Sequence, residues 1–230
     1  MTKFVGTIAI SALTSLIALG MASALLAEDL STYRNFQLGT DLATVAKQAG
    51  ESPSQAKVIH GRPALIQELE WRPQPLGSTA QAEPAKEVVF SFYNGELYQI
   101  VVNYDRYATE GLTAGDLVDA ISAAYGVSAK PAGPAKSTPG SYGDPEEVLA
   151  QWEDSQYRFD LIRSSYGPSF KLVGLLKRLD VPVQAAIVEA RRLDEKEAPQ
   201  RDAERIAAEN ETERAKLEKA RLLNKPRFRL

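Results

Sequence analysis

The sequence predicts an α+β fold: two tandem helix-strand-hairpin repeats forming an antiparallel sheet with helices on one face, plus a C-terminal charged helix. Three observations carry that prediction. Two apolar runs meet at Asn94-Gly95 in VVFSFYNGELYQIVVNY (88–104), the strongest short-range signal for a β-hairpin. A capped helix, a strand closing on tryptophan and an aromatic-rich hairpin occur in that order twice, which reads as an internal repeat. Beyond Pro199 the chain is rich in Ala, Glu, Arg and Lys with few large apolar residues, a composition for a solvated helix.

The chain opens with Lys3 and an uncharged run, Phe4 to Ala27, that ends among small residues. This is the form of a secretory signal peptide, residues 1–24, cleaved after Ala24. Left uncleaved, residues 4–27 are long enough to span the roughly 30 Å hydrocarbon core and would anchor the protein at the inner membrane. Either way the chain is expected to be exported, to the periplasm or the extracellular space.

The first repeat, residues 31–110, begins with a helix capped by Thr40 or Asp41, with Leu42, Val45, Ala46 and Ala49 on one face and Gly50 placed to end it. A strand from Ala64 to Trp71 follows, then a Pro-rich loop from Arg72 to Lys86 and the hairpin. A type I turn with Gly95 as a bulge is expected to pair Phe92 with Glu96. That register sets Val88, Phe90 and Phe92 on one face with Tyr98, Ile100 and Val102.

The second repeat, residues 111–180, opens with Thr113 as cap and Asp116 three residues on. Val118, Ile121 and Gly126 stand at the offsets of Leu42, Val45 and Gly50. Val148–Trp152 matches the strand ending at Trp71, and 157–162 with 170–175 form the second hairpin. The Pro/Gly-rich insert 129–144 reads as an exposed loop.

The extension 181–230 is expected to hold a helix from Val181 to Ala198, packed through Val181, Ala185 and Val188, that Pro199 breaks. A second, solvated helix runs from Gln200 to Leu223, where Asn210 and Glu213 interrupt any heptad.

Composition narrows the function classes. With 230 residues, 44% hydrophobic and 25% charged, the chain can bury a sizeable core. A net charge of −3 without strong basic clustering leaves no electrostatic footprint for nucleic acid. The absence of cysteine rules out disulfides and a bacterial lipid acceptor.

Catalytic patterns are sparse. His60 is the one histidine, so no His-rich metal cage can form within a single chain, and no Gly-x-Ser-x-Gly elbow occurs. Gly133, Gly140 and Gly143 sit among prolines and not between a strand and a helix, so they make no phosphate loop. No metal or cofactor is expected. Glu68 and Glu70 share a strand face about 7 Å apart, a spacing glycoside chemistry could use. Asp116 and Asp119 are read as residues that offset a helix dipole. Aromatic residues are the remaining signal: Trp71, Tyr93, Tyr98, Tyr104 and Trp152 are the candidate partner-binding residues on an uncovered sheet face.

The unit Leu38-Gly39-Thr40-Asp41-Leu42-x-x-Val45, followed by strands and a hairpin around Asn94-Gly95, resembles envelope modules of the SmpA/OmlA type and the tandem halves of the β-lactamase inhibitor protein. The likeness runs from Phe36 to Tyr104 and, less closely, from Leu112 to Leu176. It implies helices on one side of an antiparallel sheet and protein binding through the other side or the loops. The lipidated cysteine of the outer-membrane modules and the disulfides of the inhibitor have no counterpart here. The reading is therefore an exported, non-catalytic envelope protein that binds another envelope protein through its open sheet face. The alternative is a cell-wall glycan hydrolase using Glu68 and Glu70.

Overall fold

The computed structural model describes residues 29–73, 84–129, 146–164 and 169–227. The expected signal segment 1–24 and nearly all of the insert 129–144 lie outside them.

The α+β architecture is the one expected. Among the described residues nine strands and three α-helices follow in order: β1 (Thr32–Tyr33), β2 (Phe36–Gln37), α1 (Leu42–Ala49), β3 (Lys57–His60), β4 (Ile66–Trp71), β5 (Ala85–Tyr93), β6 (Glu96–Tyr104), α2 (Ala114–Tyr125), β7 (Glu146–Glu153), β8 (Tyr157–Ser164), β9 (Phe170–Leu176) and α3 (Lys177–Asn224). β1 and β2 form a small ribbon, and the other seven strands make one antiparallel sheet in the order β3-β4-β5-β6-β9-β8-β7. The first half contributes α1 and a four-strand meander, β3-β4-β5-β6, and the second contributes α2 and a three-strand meander, β7-β8-β9. The last strands of the two meanders, β6 and β9, pair from Gln99↔Leu175 to Asn103↔Lys171, so the two expected units share one sheet.

Local chemistry explains the short helices. Asp41 caps α1 by accepting from the Thr44 N–H at 3.0 Å, and Gly50 closes it at φ 73°. In α2 the Thr113 hydroxyl accepts from the Asp116 N–H at 3.2 Å, while Asp116 accepts from the Thr113 N–H at 2.7 Å. These contacts hold both carboxyls below the usual carboxylate range.

The hairpin corrects the expected register. Asn94 and Gly95 both have positive φ, 50° and 84°, the signature of a type I′ turn, and Tyr93 pairs with Glu96. The bulge sits further along, between Phe92↔Leu97 and Ser91↔Gln99, with Tyr98 as the extra residue. It restores Phe90↔Ile100 and Val88↔Val102, and both Leu97 and Tyr98 become buried.

The first face of the sheet holds the core. Cross-strand rows place Leu69, Phe90, Ile100, Gly174, Phe159 and Trp152 side by side. Phe36 lies 4.5 Å from Phe90 and 5.1 Å from Trp71 between ring centroids, and Tyr125 stacks on Phe159 at 4.6 Å. Val45 and Ala46 of α1 and Leu117 and Ile121 of α2 join the same buried cluster, with Leu42 and Val118 packed at its margin. Gly174 is required there, because a Cβ would collide with the ring of Phe159.

The second face is covered at one end by α3, a single 48-residue helix that runs through both Pro182 and Pro199 instead of breaking at Pro199. Its buried side is Leu179, Val183, Ala186 and Ala190; the side expected to pack is exposed, Val181 at 78% and Val188 at 58%. Arg178 pairs with Glu96 and Arg62 with Glu197, which fixes its course across the sheet end. From Pro199 to Arg227 every residue is exposed.

Candidate functional site

The alternation of β-strands decides which residues α3 leaves uncovered. Beyond the helix, two rows cross the second face. One runs Glu70, Val89, Val101, Val173, Asp160, Gln151 and the other Glu87, Asn103, Lys171, Ile162, Val148. Val89, Val101 and Val173 are half-buried neighbours on three adjacent strands.

Ion pairs flank that valine strip. On the β4 side, Lys57 Nζ lies 2.7 Å from Glu70 Oε1, Arg72 bridges Glu70 at 3.8 Å and Glu87 at 3.0 Å. On the β7 side, Gln151 Nε2 donates to Asp160 Oδ1 at 2.9 Å, and Arg158 Nε sits 3.0 Å from Asp160 Oδ2. Burial nevertheless raises the Asp160 carboxyl above its ordinary value, with Arg158 and Gln151 opposing it.

A cleft of about 430 Å³ adjoins the second row. It is lined by Lys86, Asn103, Tyr104, Asp105, Arg106 and Tyr107 from the open end of the first hairpin and the turn after it, and by Ser169 with Phe170 and Lys171 at the start of β9. Asp105 is held by the backbone N–H groups of Tyr107 and Ala108 at 2.7 and 3.2 Å, which shapes the turn. Arg106 lies over the Tyr107 ring at 5.5 Å, and Lys171 Nζ pairs with Glu146 at 2.5 Å.

The five aromatic candidates do not form one surface. Trp152 is 1% exposed on the first face, where its Nε1–H donates to the Gly126 carbonyl at 2.9 Å. Trp71 is half-buried against Phe36 and Phe90 on that same face. Tyr98 is 6% exposed on the second face, and burial there pushes its hydroxyl up to about 12. Trp152 and Tyr98 are therefore core residues, because the largest rings fill the space under the helices. Tyr93 is half-buried opposite Ile66, and Tyr104 alone of the five lines the cleft. The valine strip went unread because Val89, Val101 and Val173 each lie inside an unbroken apolar run, Val88-Val89-Phe90, Ile100-Val101-Val102 and Leu172-Val173-Gly174, which does not mark one face as the less covered.

Glu68 and Glu70 lie on the second face with carboxyls pushed in opposite directions. Burial and then the charge of Glu70 raise Glu68, while the hydrogen bond and charge of Lys57 lower Glu70. Neither lines the cleft. Among the described residues no cluster of three or more His, Asp or Glu side chains could hold a metal, and no helix is long and apolar enough to cross a membrane. No family model, curated protein or solved structure matches the chain.

Proposed function

We propose that this is an exported, non-catalytic envelope protein that binds another protein through the part of its second sheet face that α3 leaves open. One observation carries the reading: three half-buried valines, Val89, Val101 and Val173, stand side by side between two sets of ion pairs. Export rests on the signal-like residues 1–24. The resemblance of residues 36–104 to SmpA/OmlA-type modules and to the β-lactamase inhibitor protein supports a sheet used for contact.

The test is a photo-crosslinking residue at Val101 or Val173 in the native envelope, with Lys47 on α1 as the control position. A discrete adduct from the two valine positions and none from Lys47, lost on Val89→Lys, supports the reading. The same products from all three positions overturn it.

A second reading, glycan hydrolysis by Glu68 and Glu70, is favoured by the opposite shifts of the two carboxyls. It requires purified protein to cleave cell-wall glycan and Glu68→Gln with Glu70→Gln to abolish that cleavage.

A further inference from the structure

The outer half of α3 packs against none of the other described residues, yet its charges are sorted along its length. Residues 202–213 hold five acidic side chains, Asp202, Glu204, Glu209, Glu211 and Glu213, against one basic, Arg205. Residues 214–227 hold six basic side chains, Arg214, Lys216, Lys219, Arg221, Lys225 and Arg227, against one acidic, Glu218. The dipole of the helix accounts for a bias within the first and last turns only, and this sorting extends over the whole arm.

A seam at alternating spacings of three and four residues joins Ala203, Ile206, Asn210, Glu213, Leu217 and Ala220. Ile206 and Leu217 are 50% and 64% exposed on it. We infer that this seam is covered by the same seam of a second copy of the chain, running antiparallel.

The pairing follows from setting residue 206 of one copy against residue 217 of the other. Ala203 then meets Ala220, Ile206 meets Leu217, and the two polar interruptions meet each other, the Asn210 amide donating to the Glu213 carboxylate. Glu209 faces Lys216 on the flank, twice by symmetry, and the acidic segment lies along the basic one. In its own helix Glu209 pairs with Arg205 at 3.0 Å, an exposed contact that leaves one carboxylate oxygen for the partner copy. A parallel pairing sets Glu209 beside Arg214 but Lys216 beside Arg221, faces Glu213 with Glu213, and lays acidic segment on acidic and basic on basic. The charges therefore select the antiparallel arrangement, which sets the two sheets at opposite ends of a shared rod.

The experiment measures the mass of the full chain by sedimentation and light scattering, then crosslinks it. The wild-type chain is expected at about twice its 25.1 kDa mass. Glu209→Lys alone and Lys216→Glu alone each raise the dissociation constant about tenfold or more, and the double exchange restores it. Because the chain has no cysteine, Ala203→Cys and Ala220→Cys can be joined with a short bismaleimide. A mixture of the two variants crosslinks and neither does alone, since two copies of residue 203 stand about 25 Å apart in this pairing. A monomer at every concentration overturns the proposal, and so does crosslinking of each single variant with itself, which marks a parallel pair. Retention of dimer in the Glu209→Lys and Lys216→Glu variants, with no change in its dissociation constant, also overturns it.

Discussion

The two faces of the sheet are built from the same strands and differ in what they present. The first carries Phe90, Phe92, Phe159 and Trp152, all buried, under α1, α2 and the β1-β2 ribbon. The second meets α3 through a seam that includes two alanines, Ala186 and Ala190, and past the helix it offers valines between ion pairs. Ring size sets the difference: aromatic side chains fill a deep layer and demand full cover, whereas small residues let a helix approach closely and leave a shallow, half-wet surface. The buried aromatic rings are thus gathered mainly on one face, while the other is buried where α3 crosses and only half-covered beyond it.

The largest effects are expected on the first face. Trp152→Ala removes a buried ring and its hydrogen bond to Gly126, and should cost about 3–5 kcal/mol in urea unfolding. Gly174→Ala should cost about 1–3 kcal/mol, because Phe159 occupies the space and must tilt away from Tyr125. Comparable losses from Val101→Thr on the second face would break the comparison; the expected change there is under about 1 kcal/mol, read in the same experiment.

Smaller effects sharpen it. Glu68 has its folded-state value raised by burial above 4.5, so the folded chain holds the extra proton and stability falls as pH rises through that window. Glu68→Gln should flatten that fall and make the protein more stable at neutral pH, measured as the melting temperature against pH. Removing residues 199–230 should change the melting temperature least of all at concentrations where the chain is monomeric, since every described residue from Pro199 to Arg227 is exposed.

The strands were legible because large apolar residues alternate, and the caps because Thr113 and Asp116 stand three apart. The placement of the turn was not, since the bulge that corrects the register lies at Tyr98 and depends on burying Leu97 and Tyr98 on opposite faces. β3 was missed: Lys57-Val58-Ile59-His60 is a short edge strand, and Val58 and Ile59 are exposed. The packed side of α3 was misread because the stripe starts at Leu179, before the expected helix start at Val181. The valine-bearing site was hidden for a different reason. Which end of a sheet face stays uncovered depends on where α3 crosses, and Arg178 with Glu96 and Arg62 with Glu197 set that crossing through contacts distant in sequence.

The central pairing of β6 with β9 has a kinetic consequence. Val101 and Val173 are about 70 residues apart in the chain, the widest separation of any strand pairing in the sheet, so this join raises contact order more than the other strand pairs do. Until it forms, each meander exposes a long unpaired strand edge, β6 in one and β9 in the other, that can recruit another chain.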